Sequence, residues 1–312
     1  MADNEEQVDY LYLPRGTILK EKYLIKNKLC PKSNFSIIYL AVNSVTKERV
    51  VIKEFFPHQL VLRDLDKKTV ISKTNWGQDR FEQEVDLFLK EGQVMNSLQG
   101  FSLGNCYDWF RENNTGYIVL EYYQGPTLED CLEEKRFDWF NFLEQIFYPL
   151  LQAVETVHNQ GYLHRDLKPA NIIYDAKLIL IDFGSVIKYQ TEKNKKIVLT
   201  PGYSPLEFYA EQSKQSQASD IYSLAAILYY FLTKELPVAA KQRIIEDDLA
   251  LVSELNSEVS EGLNDFIMRN LSLDLNDRDQ TVNKFRLNLE LECLKIKGKK
   301  LIKSVWSNFF KS

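Results

Sequence analysis

The segment His164 to Asn171 reads HRDLKPAN. It sets a carboxylate (Asp166), an ammonium (Lys168) and an amide (Asn171) in one short loop ahead of the apolar pair Ile172 and Ile173. Eleven residues past Asn171, IDFGS places a second carboxylate, Asp182, directly after the apolar stretch KLILI, with Gly184 permitting a sharp turn. The two loops can face one pocket. Phosphoryl transfer needs such a set: one carboxylate to orient a hydroxyl nucleophile, a second carboxylate with an amide oxygen to hold a divalent metal, and a cation for the charge that develops on the phosphoryl group. Either motif alone is common by chance, as a turn or a capped helix end. In this order and spacing, together, they carry weight.

The elements that must position these loops show as a change of texture. Up to about Glu121, short β-branched runs dominate (SIIYLAV, RVVIKEF, GYIVLEY), which predicts a sheet. One helix interrupts it, because Phe81, Val85, Phe88, Leu89, Val94, Met95 and Leu98 recur at helical spacing. From TLEDCLEEKRF onward the pattern turns helical, with Thr127 as a predicted N-cap and long segments around Leu143 to His158, Asp220 to Leu232 and Leu263 to Leu271. Two lobes follow, with a hinge near EYYQGPT, where Gly125 and Pro126 break the strand pattern.

Composition excludes several classes. A chain of 312 residues with 45% hydrophobic and 12% aromatic content can bury a large core or two coupled ones. A net charge of -5 gives no global basic field, so no nucleic-acid partner is expected. The four cysteines, Cys30, Cys106, Cys131 and Cys293, form no Cys-x-x-Cys pair, which fits isolated thiols in a reducing compartment and a cytoplasmic location. The first ten residues are acidic, without the basic start and apolar stretch of a secretory signal. The most apolar run, IYSLAAILYYFL, is too short to span a bilayer and reads as a buried helix.

With these residues in place, the sequence resembles the eukaryotic-like (Hanks-type) protein kinase family, in its bacterial Ser/Thr branch, from about Gly16 to Leu291. The resemblance implies an α+β bilobal fold: a small antiparallel β lobe with one main helix, and a larger, mainly helical lobe. The domains expected are an acidic tail over 1–16, an N-lobe over 17–121 with an insertion at about 57–79, a C-lobe over 122–292 and a basic amphipathic tail over 293–312. The implied activity is transfer of the ATP γ-phosphate to a protein serine or threonine, the enzyme itself included, with Mg2+ or in its place Mn2+. By the same resemblance Asp166 is the catalytic base, Lys168 contacts the transferring phosphate, and Asn171 and Asp182 hold the metals and bind the nucleotide. VVIKEF resembles the strand whose lysine, here Lys53, grips the α- and β-phosphates. Its partner is assigned to Glu91, with Glu84 as the fallback. Thirty-seven residues lie between Lys53 and Glu91, more than the family usually needs, and the excess reads as an inserted hairpin or loop. Gly92 costs that helix up to ~1 kcal/mol relative to alanine. Leu29, Ser36, Glu121 and Tyr123 complete the nucleotide-binding candidates.

Downstream, TPGYSPLEFY resembles the end of an activation segment, with Thr200 touching Asp166 and the substrate, and Glu207 as the terminal glutamate. Arg278 in NDRDQT is its implied ion-pair partner, and Asp220 holds the backbone of the catalytic loop. Arg165 matches kinases whose segment is ordered by phosphorylation, with Thr191 as a site.

LCPKSNFSIIYLAV departs from the family. Cys30, Lys32 and Ser36 stand near the places of the glycines whose backbone N–H groups approach the phosphates, with one residue inserted, while Phe35 and Tyr39 keep their places. Side chains there restrict positive φ and crowd the phosphates, which weighs on ATP affinity more than on the chemical step. Two alternatives therefore stand beside the active kinase: a pseudokinase or scaffold module with weak ATP binding, and a small-molecule phosphotransferase, which normally lacks the TPGYSPLEF segment. The stretch 295–312 reads first as a helix docked on the body. Its second reading is a peripheral contact with anionic membrane or a partner groove, since apolar Leu301, Ile302, Val305, Trp306, Phe309 and Phe310 share one face ringed by lysines.

Overall fold

The computed structural model describes residues 11–29, 35–73, 78–98, 100–188 and 197–309, with side chains in the last helix through Lys297. The chain falls into two compact units that part between Gln124 and Gly125, with 100–102 joining the second.

The first unit is built on a six-stranded antiparallel sheet. Its strands are β1 (Ile18–Leu19), β2 (Tyr23–Lys28), β3 (Ser36–Asn43), β4 (Arg49–Phe55), β7 (Cys106–Glu112) and β8 (Thr115–Glu121), in the order β1-β2-β3-β4-β8-β7. The β-branched runs supply the alternation that one buried face demands: Val50, Ile52 and Glu54 of β4 are buried, while Val51 and Lys53 lie on the other, half-buried face. Between β4 and helix α1 (Gln78–Ser97) the extra residues form a hairpin, β5 (Val61–Arg63) with β6 (Val70–Ser72). The Asp66 carboxylate accepts the Lys68 and Thr69 N–H groups and closes its turn. Val61 and Val70 enter the sheet's own core with Tyr39, Ile52, Val85 and Leu89, so the inserted stretch is a packed hairpin and part of that core.

The second unit is mainly helical. Helix α2 (Leu128–Glu133) begins at a Thr127–Asp130 capping box, as its sequence predicts. Helix α3 (Trp139–Phe142) runs through a π turn at Leu143–Phe147 into α4 (Tyr148–Asn159). Pro149 has no N–H to donate, and the wider turn before it absorbs the missing bond. Short strands follow: β9 (Tyr162–Leu163), which pairs with β12 (Ile187–Lys188), and the antiparallel pair β10 (Ile172–Asp175) and β11 (Lys177–Leu180). Helix α5 (Gln217–Thr233) is buried on nearly every side, as expected of IYSLAAILYYFL. The remaining helices are α6 (Val252–Leu255), α7 (Glu261–Asn270) and α8 (Val282–Phe309). No described helix is long and apolar enough to cross a membrane. Gly125, at the sequence-predicted hinge, is required by space: a Cβ there would run into the Tyr174 carbonyl.

Candidate active site

In the first unit, β4 carries Lys53 across from Ile38 and Ile118, in the middle of the sheet. Its Nζ donates to Glu91 Oε1 and Oε2 at 2.8 and 3.0 Å, and the Glu91 side chain is buried. Of the two glutamates weighed from sequence, the chain pairs Lys53 with Glu91. Glu84 lies about two turns earlier on the same helix. Helix α1 reaches the sheet through Phe81, Val85 and Leu89, with Phe81 and Phe88 packed on the ring of Phe55.

Gly92 has a packing reason that helix propensity misses. A Cβ there would stand 3.0 Å from Trp109 Cβ on β7, and one at Gly116 would stand 3.1 Å from Leu89. Both glycines let α1 lie close on the sheet, Gly92 from the position next to Glu91 and Gly116 from β8. Gly92→Ala is therefore expected to lower the thermal midpoint and raise KM for ATP, despite alanine's better helix propensity of up to ~1 kcal/mol. A midpoint that rises would show that Trp109 yields at no cost.

The nucleotide candidates of this unit are placed as follows. Ser36 is buried at the start of β3, opposite Phe55. Leu29 donates its N–H to the Ile38 carbonyl at 2.9 Å. Glu121 Oε2 accepts from Asn105 Nδ2 at 2.6 Å and from the Tyr123 hydroxyl at 2.8 Å, so these two side chains are engaged with each other and with Asn105. Cys30, Lys32 and Ser33 of the glycine-free loop lie outside the described residues, as does Thr191.

In the second unit, Asp166, Lys168, Asn171 and Thr200 form one hydrogen-bonded cluster. Lys168 Nζ donates to both Asp166 carboxylate oxygens, at 2.9 and 2.8 Å, and to Thr200 Oγ1 at 3.1 Å. The Thr200 hydroxyl donates to Asp166 Oδ1 at 2.7 Å. Asn171 Nδ2 donates to Asp166 Oδ2 and to the Asp166 carbonyl, each at 2.8 Å, which leaves its amide oxygen as the atom able to meet a cation. The Ile181 N–H donates to the Asn171 carbonyl at 2.9 Å and so fastens the chain entering Asp182 to the same loop. Asp182 itself takes φ 62°, and its Oδ1 accepts the Gly184 N–H at 3.3 Å. An amide oxygen and a carboxylate are hard oxygen donors, of the kind that hold a divalent metal ion whose shell is completed by water.

The loop is held from beneath. Asp220 Oδ2 accepts the His164 N–H and Oδ1 the Arg165 N–H, each at 2.8 Å, and Oδ2 also meets His158 Nε2 at 2.6 Å. These bonds hold Arg165 at φ 67°, a left-handed conformation that an L side chain rarely adopts. Burial works against charge on Asp220, yet the bonds from His158 and the Arg165 N–H outweigh it and hold the carboxyl below the usual range. The Arg165 guanidinium is buried over the Phe208 ring, with Nη1 at 3.4 Å from the Ser185 carbonyl. Glu207 meets Arg278 through two bonds of 2.8 and 3.1 Å, and Arg278 also donates to the Ser272, Leu273 and Ala218 carbonyls.

Burial pushes His164 below its ordinary imidazole value, against the opposing pull of the Asp220, Asp166 and Asp182 charges. In the folded chain the ring is neutral, and its Nδ1 faces the Asp166 N–H at 3.4 Å. The unfolded chain then binds the extra proton first, so stability falls as pH drops below about 6.5, and a second loss, from Asp220, sets in below about 4. Urea midpoints between pH 5 and 7.5 are expected to decline on the acid side in the wild type and to flatten in His164→Phe. Equal slopes in the two proteins would remove His164 as the cause.

Two residues to which the sequence assigned no role stand out. His158, six residues before His164, shares the Asp220 carboxylate. Arg63, in the hairpin, forms a fully buried ion pair with Glu54, the neighbour of Lys53 in β4. Its period-two spacing from Val61 was the one available signal.

The model of the protein kinase domain matches residues 32–285. A probable serine/threonine-protein kinase of Clostridium acetobutylicum is 26% identical over 280 residues, covering 86% of this chain and 39% of that protein. Serine/threonine-protein kinase PknA of Nostoc sp. is 35% identical over 163 residues, 48% of this chain and 28% of that protein. The chain thus spans well under half the length of these relatives. The solved apo form of PpkA-294 superposes with a TM-score of 0.77 at 27% identity, covering 89% of this chain and 99% of that one. A curled sheet unit, a helical unit and a match over most of the sequence agree on one conclusion: the chain belongs to the protein kinase domain family.

Proposed function

We propose that this chain transfers the γ-phosphoryl group of ATP to serine or threonine hydroxyls of proteins, its own among them. The observation that carries the reading is the Thr200 hydroxyl on Asp166 Oδ1 at 2.7 Å, with Lys168 Nζ at 3.1 Å from Thr200 Oγ1. An alcohol is already held there between a carboxylate and an ammonium. In the reaction, Asp166 orients the incoming hydroxyl and takes its proton as that oxygen bonds to the γ-phosphorus. The bond from that phosphorus to the β,γ-bridging oxygen breaks, and ADP leaves. Lys168 balances the charge on the transferring group. Asn171 Oδ1 and the Asp182 carboxylate would hold Mg2+, or Mn2+, which supplies charge neutralisation at the phosphates when bound. Lys53, fixed by Glu91, would take the α- and β-phosphates. Leu29, Ser36, Glu121 and Tyr123 are proposed to border the nucleotide through backbone or side-chain contacts.

The retained set of base, metal donors and both lysines favours this reading over a module without catalysis. The test is incubation of purified protein with labelled ATP and magnesium, followed by mapping of the modified residues. Label on serine or threonine that is lost in Asp166→Ala supports it. Wild-type protein that binds ATP and transfers nothing to itself or to a panel of basic and acidic protein acceptors would return the reading to a pseudokinase.

A further inference from the structure

Helix α8 changes its apolar side along its length. It docks on the second unit through Phe285, Leu289 and Cys293, all buried, and Lys297 still lies 4.8 Å from the centre of the Phe140 ring. On the opposite side Leu287, Leu291 and Leu294 are 51%, 54% and 64% exposed. The helix continues unbroken to Phe309, so a rotation of about 100° per residue carries both rows forward. The docking row passes to positions Lys300, Lys303 and Ser307, all polar. The outward row passes through Gly298 to positions Leu301, Val305 and Phe309. Apolar positions therefore leave the body-facing side and gather on the side where the three leucines already stand bare.

We propose that this outward face attaches the protein to the surface of an anionic lipid membrane. Residues 293–312 carry six lysines and no acidic residue. Lys295 is paired with Glu292 at 2.6 Å, but the other five stand in a stretch without an acidic residue, so two copies pairing along the stripe would set lysines against lysines, whereas anionic headgroups complement them. Ile302 and Trp306 widen the apolar arc to about two fifths of the circumference, broader than the seam of a two-helix coil and suited to a helix lying in the interface. An indole at such a position sits at headgroup level. The lysine density rules out a crossing, so the attachment is peripheral.

The test is sedimentation of the full chain with vesicles of phosphatidylcholine alone, and with about 30% phosphatidylserine added, at low and high salt. Wild-type protein is expected to pellet with the anionic vesicles only, and to be released by salt. Lys299→Gln, at a position flanking the apolar arc beside Trp306, is expected to partition roughly five-fold more weakly, from a factor of about five per lysine. Leu294→Glu/Val305→Glu is expected to stay in the supernatant with its thermal midpoint unchanged, which separates loss of attachment from loss of fold. Asp166→Ala protein is expected to pellet with the anionic vesicles as the wild type does, so the result stands apart from the catalytic reading. No pelleting with anionic vesicles, pelleting that neither variant changes, or a dimer that Leu294→Glu/Val305→Glu converts to monomer in the absence of lipid would each overturn the proposal.

Discussion

Asp166→Ala is expected to lower kcat by about 10²–10⁴-fold while leaving KM for ATP within a few-fold of wild type. Both carboxylate oxygens of Asp166 are committed to groups of the reaction: Lys168 reaches each of them, Thr200 donates to Oδ1 and Asn171 to Oδ2. Removing them takes away the proton acceptor and frees Lys168 from its geometry. The nucleotide contacts assigned to Lys53, Asn171 and Asp182 stay, and Asn171 keeps its bond to the residue-166 carbonyl. The loop keeps its path as well, because Asp220 holds it through the His164 and Arg165 backbone N–H groups, without the Asp166 side chain. A variant that is folded and inactive is therefore the expected outcome. Asp166→Asn sharpens the assignment, since it preserves size and one acceptor oxygen but loses basicity. If Asn retains most of the wild-type kcat, the side chain orients the alcohol without taking its proton. If the alanine variant itself turns over at the wild-type rate, the catalytic reading of this loop fails.

Local chemistry was legible in the sequence wherever a few neighbouring residues settle it. HRDLKPAN needs only its own turn to bring Asp166, Lys168 and Asn171 together, and Thr127 caps α2 with a partner three residues away. The pairing of Lys53 with Glu91 was reachable because both ends sit on strongly patterned elements. What stayed hidden depends on distant partners. Gly92 looked like a helix defect until Trp109, from another strand, supplied the reason for its missing side chain. The stretch after β4 gave no role, since an arginine in a three-residue strand reads as a solvated surface charge by default. The outward face of α8 was similarly obscured, because periodicity shows that two faces differ and leaves open which one meets the body.

That hairpin arginine yields the largest stability effect expected here. Arg63→Met should destabilise the first unit by about 3–5 kcal/mol, because it leaves the Glu54 carboxylate buried without its cation. Both side chains of the pair are fully buried, with Nη1 and Nη2 on the two carboxylate oxygens at 3.0 and 2.7 Å. Glu54 also accepts the Tyr39 hydroxyl from β3 and the Tyr117 hydroxyl from β8, each at 2.8 Å. Burial, then the Glu54 charge, raises both phenols well above their ordinary range, so each remains a donor. Burial likewise works against charge on Arg63, but Glu54 outweighs it and keeps the guanidinium protonated. Arg63 Nε and Nη2 further donate to the Leu11 carbonyl, at 3.1 and 3.0 Å. One carboxylate thus ties the hairpin to three sheet strands, and through Arg63 to the segment ahead of β1. Since Glu54 and Lys53 project to opposite faces of β4, a loosened hub is expected to blur the placement of Lys53 as well and to raise KM for ATP. The companion is Arg63→Met/Glu54→Leu, in which neither charge is left buried; it should recover part of the lost stability, short of wild type because two tyrosine hydroxyls lose their acceptor. Urea unfolding of the three proteins gives the cycle. A single variant that loses less than about 1 kcal/mol, or a double variant no more stable than the single, would mean that the pair is solvated in solution and that the hairpin is held by Val61 and Val70 alone.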